Sequence, residues 1–235
     1  MPAGLFGKLP AKRDFISANA PRRFLDVWEP WLQSSVAMSK QMLGQAWTEA
    51  YNRAPIWRFW LGSGFCGEAT IGAFMPSVDG VGRPFPHAVF AVDTDDSVAP
   101  PEIDSNDPWC EAAEAILLCA LEAGTTLEAI VDKVAGMPAP STQPRANEAA
   151  GARALSDGAI LVRNVDRGIL LAFREARHFD HRRALASQSF WWTVGGEGFR
   201  PLVLAHVGLP SAVRFADMLT GAFADVELSS VGEAP

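Results

Sequence analysis

The chain has 235 residues, of which 49% are hydrophobic and 20% are charged, and its formal net charge at pH 7 is −7. This length and composition are typical of a folded globular protein with a sizeable core and exclude a largely disordered chain. The acidic balance excludes nucleic-acid binding as the main function, because phosphate backbones are bound by basic surfaces. The 3 cysteines form no C-x-x-C pair, which predicts neither a disulfide framework nor a zinc site and favours a reducing compartment.

The N-terminal segment argues against export and membrane insertion. Charged residues between Lys8 and Asp14 stand where a signal peptide needs an apolar run. No stretch approaches the ~20 apolar residues that a membrane span requires. We therefore expect a cytoplasmic protein that does not insert into a membrane, and the sequence leaves its oligomeric state open.

The first part of the chain alternates helical and strand patterns. Apolar residues recur at helical spacing after Pro21, which we place at the first helical position, and Pro30 predicts a kink within that helix. Residues 56–61 and 69–75 have the pattern of strands, and residues 87–92 form a continuous apolar run of the kind that is covered on both faces. These patterns predict an α/β fold in which helices lie on each side of a sheet.

Two further helices are predicted after an acidic segment. Residues 93–108 combine acids with prolines and predict a solvated connector. Asp107 is expected to cap a helix that continues to Gly124. Thr125 and Glu128 then have the T-x-x-E spacing of a capping box, which predicts a second, short helix.

The remainder of the chain is predicted to contain a loop, two hairpins and a helix. Residues 136–158 carry three prolines among small polar residues, which favours a surface loop over a domain boundary. The elements predicted after this loop are strands at residues 160–162, 169–173, 190–194 and 202–206 and a helix at residues 213–223. Because these strands need the earlier helices to cover them, we expect residues 1–235 to form one domain.

Residues 76–86, PSVDGVGRPFP, place polar side chains between two predicted strands. One hypothesis is a small hydrolase or phosphate-handling enzyme that uses Ser77 as nucleophile, His87 as its base and Asp79 as a third member. The nucleophile-elbow pattern G-x-S-x-G is absent, however, and a proline precedes the serine where a strained turn is expected. The alternatives are a tight turn in which Arg83 pairs with Asp79, which we favour, or a partner-binding loop.

Three other polar patterns have simpler structural interpretations. His178 and His181 are three residues apart, but a metal site needs further ligands, and no H-E-x-x-H motif is present, so we predict no metal and no cofactor. Gly195, Gly196 and Gly198 follow a strand, but the lysine of a P-loop is absent, which favours a hairpin turn. An arginine cluster is interleaved with acids and therefore favours surface ion pairs over a phosphoryl site. Its members are Arg163, Arg167, Arg174, Arg177, Arg182 and Arg183.

Two segments carry a family resemblance. Gly4 to Phe15 reads G-x-x-G-K-L-P-x-x-x-D-F, and residues 76–86 contain PSVD, VGR and FP. Further matching residues are Phe24, Trp28, Trp31, Trp47, Tyr51, Trp57, Arg58, Phe59, Trp191, Trp192 and Thr193. In these motifs the chain resembles the TagF/ImpM family of type VI secretion clusters, closely over residues 4–92 and more loosely over residues 187–223.

The resemblance implies a fold and a function. The implied fold is a three-layer α/β/α sandwich with a mixed sheet. The implied function is that of a non-enzymatic cytoplasmic accessory protein, which represses type VI secretion system assembly after translation by binding a forkhead-associated (FHA) domain scaffold. We expect Lys8, Arg13, Asp14, Asp79 and Arg83 to be exposed and to contribute to the partner surface, because these charges lie inside the two most family-like motifs.

Overall fold

A single seven-stranded sheet organises the computed structural model, which describes residues 2–93, 98–141, 152–163, 166 and 168–223. Its strands are β1 (Ala3–Gly7), β2 (Ile16–Ala18), β3 (Trp57–Leu61), β4 (Thr70–Met75), β5 (His87–Val92), β8 (Gln188–Thr193) and β9 (Leu202–Val207). The spatial order is β2-β1-β5-β4-β3-β8-β9. Two short strands, β6 (Ala152–Ala154) and β7 (Ile160–Val162), pair separately.

All strand pairs of the large sheet are antiparallel, so the expectation of a mixed sheet was wrong. Residues 62–69, 76–86 and 194–201 link β3 to β4, β4 to β5 and β8 to β9, and each link is shorter than the crossover of a dozen or more residues that parallel neighbours need. The α/β class itself is confirmed.

Helices cover both faces of the sheet. They are α1 (Arg22–Leu43), α2 (Trp47–Arg53), α3 (Asp107–Cys119), α4 (Leu127–Ala135), α5 (Ile169–Phe179), α6 (His181–Ala184) and α7 (Ala212–Thr220), with a 3₁₀ turn at Gly44–Ala46. On β5, Val89 and Ala91 join a core with α3 and α4, while Ala88 and Phe90 join a second core with α1, α2 and α7. Successive strand residues point to opposite faces, so β5 is covered on both sides, as its apolar run predicted.

The second core is built largely from aromatic rings. The Trp28 ring stacks on Phe59 at 4.5 Å between ring centroids and lies parallel to Trp191 at 6.1 Å. The indole Nε1 of Trp31 donates to the carbonyl of Pro210 at 2.7 Å. Because α1 thus holds the segment before α7 while packing on β3 and β8, the aromatic core joins distant parts of the chain.

Several predicted helix starts were displaced by one residue. Pro21 is extended and precedes the first helical residue, Arg22. Asn106, in the left-handed conformation, occupies the cap position that we assigned to Asp107. The hydroxyl of Thr126 accepts from the backbone amide of Ala129 at 3.2 Å, so Thr126 caps α4 and the capping box predicted at Thr125 and Glu128 was wrong.

Other predictions had mixed outcomes. Helix α1 continues through Pro30, and the kink beside it stays a prediction. The strand predicted at residues 169–173 is instead the start of α5, because a short apolar run fits either a strand or a helix and here continues at helical spacing. The later hairpin is confirmed as the pair β8 and β9.

The two predicted loop segments are described in part, since residues 94–97 and 142–151 lie outside the described residues. The acidic segment is not wholly solvated, because Asp93 is buried and its carboxylate accepts from the amide of Val98 at 2.6 Å. Among the described helices, none has the length and apolar character needed to cross a membrane. That same part of the chain contains no group of three or more His, Cys, Asp or Glu side chains placed to hold a metal ion.

We predict that Gly72→Ala destabilises the fold. Gly72 lies opposite Phe59 on β3 and Phe90 on β5, and an added Cβ would lie 2.3 Å from the Phe59 ring and 2.9 Å from the Val89 carbonyl oxygen. Overpacking of this kind costs about 1–3 kcal/mol, measurable as a fall in the free energy of unfolding in urea. Gly196→Ala is the matched control, since the nearest neighbour of the added Cβ would be the Pro55 side chain at 4.0 Å. The free energy of unfolding of this variant should be unchanged. Equal stability of the two variants would contradict this packing argument.

Candidate functional site

The two family-like motifs lie side by side because β1 and β5 are neighbours in the sheet. Gly7, the last residue of β1, pairs with His87, the first residue of β5. The segment that leaves β1 and the turn that enters β5 therefore emerge from the same end of the sheet. The Gly80 amide donates to the Lys12 carbonyl at 2.7 Å, which ties one segment to the other. We call residues 8–15 and 76–86 together the paired-turn site.

Asp79 is the centre of the paired-turn site. Its Oδ2 accepts from Lys8 Nζ at 3.0 Å and from Arg83 Nε at 2.6 Å. Its Oδ1 accepts from the backbone amides of Val81 at 3.1 Å and Arg83 at 2.9 Å. The carboxylate is thus fully engaged, and the prediction that Arg83 pairs with Asp79 to hold a tight turn is confirmed.

Burial and hydrogen bonding act in opposite directions on the Asp79 carboxyl. Burial disfavours the charged form and would raise its pKa. The bonds from the Arg83 amide, the Lys8 ammonium, the Arg83 guanidinium and the Val81 amide favour the charged form and hold the pKa of Asp79 well below its usual range. The carboxylate is therefore ionised at neutral pH and serves as a fixed anchor for both turns.

Arg83 links the buried Asp79 carboxylate to the protein surface. Its side chain is 60% exposed, and its Nη2 donates to the Arg13 carbonyl oxygen at 2.5 Å. Arg13, Asp14 and Arg83 are exposed as expected, whereas Lys8 and Asp79 are buried, so the expectation that all five charges are exposed was wrong for these two. The structure brings Lys8, Asp79 and Arg83 into contact and sets Arg13 beside them through its backbone.

The paired-turn site also exposes two apolar side chains, which were not singled out from the sequence as site residues. Phe15 is 45% exposed and Val81 is 56% exposed. The Phe15 ring packs edge-on against Phe85 at 4.8 Å, and Lys8 Nζ lies 5.1 Å from its centroid. The sequence signal for their exposure was their position in the two motifs, because an apolar residue in an otherwise polar turn has few apolar neighbours to bury it.

The hydrolase hypothesis is not supported by this geometry. The Ser77 hydroxyl and both ring nitrogens of His87 are buried without a hydrogen-bond partner, so the two side chains do not form a nucleophile–base pair. The backbone of Ser77 instead exchanges hydrogen bonds with the Tyr51 hydroxyl at 3.0 and 3.1 Å. Asp79 is occupied by Lys8 and Arg83 rather than by a histidine.

Comparison with known proteins places the chain in a family. Residues 4–137 match the TagF N-terminal domain, described as type VI secretion system-associated. The chain belongs to the TagF family. It is also similar to the crystal structure of PA0076 from Pseudomonas aeruginosa PAO1, with a TM-score of 0.79 and 32% sequence identity, over 99% of this chain and 100% of that chain. No curated protein sequence matches it.

Two other polar patterns of this TagF-family chain take part in local structure. Arg177 pairs with Glu102 at 3.3 Å and Arg183 with Asp180 at 2.8 Å, as expected of surface ion pairs, while Arg167 lies outside the described residues. Gly196 forms an isolated bridge with Phe199 between β8 and β9, which confirms a hairpin turn.

We predict that Asp79→Asn lowers the melting temperature by several degrees. The neutral amide leaves the buried Lys8 ammonium without a counter-charge, and buried unpaired charges are strongly destabilising. Because the folded-state pKa of Asp79 is depressed, its contribution is present above the unfolded pKa of about 3.9 and is lost as pH falls further. The difference in melting temperature between wild type and Asp79→Asn should therefore be smaller at pH 3 than at pH 7. Asp14→Asn, an exposed carboxylate in the same site, should leave the melting temperature unchanged, and an equal loss in both variants would contradict the anchor role.

We also predict that His87 makes the fold sensitive to acid. Burial lowers the pKa of His87 to about 3, so the folded chain binds a proton there far less readily than the unfolded chain. His87 therefore contributes a loss of stability that begins as pH falls below about 6.5 and reaches roughly 2 kcal/mol at pH 5. His87→Leu, similar in volume, should reduce the fall in the free energy of unfolding between pH 8 and pH 5 by that amount. An unchanged pH dependence would show that His87 is not neutral and buried.

Proposed function

We propose that this chain restrains assembly of the type VI secretion machine after translation by binding an FHA-domain scaffold protein of the same secretion cluster. In this proposal the protein acts in the cytoplasm and catalyses no reaction. Its membership of the TagF family supports the link to type VI secretion. The FHA scaffold is the partner that the family resemblance implies.

The observation that carries the proposal is the braced geometry of the paired-turn site. The buried carboxylate of Asp79 holds both turns through Lys8 and Arg83. A surface that is already ordered loses less conformational entropy on binding than a mobile loop, which favours affinity. The bracing stabilises the turns and also fixes the exposed residues on them, and we assign this ordered surface to partner recognition.

The chemistry of the exposed residues suits a protein partner. Arg13 and Arg83 are exposed cations, and Phe15 and Val81 are exposed apolar side chains beside them. Arginine and aromatic residues dominate the energetics of protein interfaces. The combination fits a partner surface with an apolar centre and acidic groups around it.

The cationic character of the site also restricts where it docks on an FHA domain. FHA domains bind phosphothreonine with arginine-containing pockets, which are positively charged. A surface built around Arg13 and Arg83 is repelled by such a pocket. We therefore propose that the paired-turn site contacts a different face of the scaffold and that binding needs no phosphothreonine.

Binding of the purified scaffold tests the proposal by isothermal titration calorimetry. Arg13→Glu and Val81→Asp should each weaken binding at least tenfold, equivalent to about 1.4 kcal/mol, because one reverses a contact charge and the other places a charge in an apolar contact. Arg22→Glu is the matched control, since the Arg22 side chain is 89% exposed at the start of α1 and lies outside the paired-turn site. Saturating phosphothreonine peptide should leave the affinity unchanged.

The possible outcomes distinguish an error in the proposed partner from an error in the proposed contact site. If the wild-type chain does not bind the scaffold, the proposed partner is wrong. If it binds, but both variants keep their melting temperature and bind within twofold of wild type, the partner stands and the paired-turn site is not the contact. Competition by phosphothreonine peptide would place the contact at the FHA pocket instead.

A further inference from the structure

Strand β9 is an edge of the sheet, and among the described residues no strand pairs with its outer side. The opposite edge, β2, is only 3 residues long, whereas β9 has 6 residues, LVLAHV, with no charged side chain and no proline. Natural edge strands are usually shortened, charged, bulged or covered, because a free row of amides and carbonyls pairs readily with another strand. Within the part of the chain that the structure describes, β9 lacks the short length, the charge and the proline that would discourage pairing, so its outer side is available to another strand.

The register of β8 and β9 shows which backbone groups are free. The Gly208 amide donates to the Ser187 carbonyl at 2.8 Å, one residue beyond the pair Gln188 and Val207. Hydrogen-bonded pairs recur at every second residue of an antiparallel ladder. The amides and carbonyls of Leu204 and His206 therefore point toward β8, and those of Val203, Ala205 and Val207 point away from it.

Val203, Ala205 and Val207, whose backbone groups point away from β8, also have their side chains on one face of the sheet, and that face is exposed and apolar. Val203 is 82% exposed and Val207 is 68% exposed. Beside them on β8, Phe190 and Trp192 are half-buried. An apolar groove of about 380 Å³ runs between this face and Pro101. Exposed apolar surface of this extent next to a free strand edge is a mark of an interface.

We propose that a second copy of this chain covers β9, with the two β9 strands antiparallel about a two-fold axis at Ala205. The outward-facing residues read Val, Ala, Val, which is symmetric about Ala205. In this register Ala205 faces its own copy, and Val203 of each chain faces Val207 of the other. All outward amides and carbonyls of the three residues are then paired, and the side chains meet as β-branched cross-strand pairs, which stabilise sheets.

Charge and area also favour a second copy. The seam contains no charged side chain although each chain carries a net charge of −7, so like charges are not brought together at its centre. A stable interface buries on the order of 1,200–2,000 Å². A strand pair alone does not reach such an area, so in this proposal Phe190, Trp192 and the groove, which Glu102 and Ser105 also line, add flanking contacts on each side of the axis. The interface lies at the sheet edge opposite β2 and does not depend on the proposed scaffold contact.

Sedimentation velocity over a concentration series tests the proposal on the full chain. Wild type should sediment with twice the 25.3 kDa mass of one chain. Val203→Lys should raise the dimer dissociation constant at least tenfold, because a lysine on an edge strand opposes pairing. Val213→Lys is the matched control and should remain dimeric, since Val213 is 48% exposed and lies on α7, which covers the opposite face of the sheet from Phe190 and Trp192.

Residue-resolved amide hydrogen exchange tests the register. In wild type the amides of Val203, Ala205 and Val207 should be protected, and in Val203→Lys they should exchange at least tenfold faster. The Leu204 and His206 amides, which point toward β8, should stay protected in both proteins and thereby show that β9 remains folded. A wild type that stays monomeric at 200 µM, or a dimer whose outward amides exchange rapidly, would overturn the proposal.

Discussion

The buried carboxylate of Asp79 is the constraint on which the paired-turn site depends. A charged group that leaves water must be compensated by hydrogen bonds or opposite charges. Asp79 obtains them from Lys8, which directly follows the neighbouring strand β1, from the Arg83 side chain, and from the amides of Val81 and Arg83. Each of these groups fixes part of the local backbone, so the shape of both turns follows from satisfying a single carboxylate.

That arrangement is possible only because of the strand order. Lys8 and Asp79 are 71 residues apart and meet because β1 is inserted beside β5 at the edge region of the sheet. Gly7 and Gly80 allow the close approach, since a Cβ at Gly7 would lie 2.2 Å from the Pro86 carbonyl and one at Gly80 would lie 3.0 Å from the Pro10 carbonyl. Glycine in these motifs thus has a packing reason in this chain.

How far the sequence predicted these features depends on the range of the interaction. The Asp79–Arg83 pair was predictable because both residues lie in one turn, and the strands of the β8–β9 hairpin were predictable from their pattern. The burial of Lys8 was not, because its partner is distant in sequence and a lysine is usually exposed. Helix α5 was missed because its first residues are a short apolar run, and the edge position of β9 depends on a strand order that no local pattern encodes.

The choice of ions rather than apolar side chains at the centre of the site has a consequence for specificity. Replacing a buried ion cluster by packed apolar groups is often neutral or stabilising, so such clusters are weak evidence for stability alone. An apolar residue at position 79 could fill the same space, but it would leave the amides of Val81 and Arg83 and the Lys8 ammonium without acceptors. The cluster therefore defines one backbone conformation for the turns. In the proposed function, in which Arg13, Phe15 and Val81 contact a partner in a fixed relation, such definition matters more than additional stability.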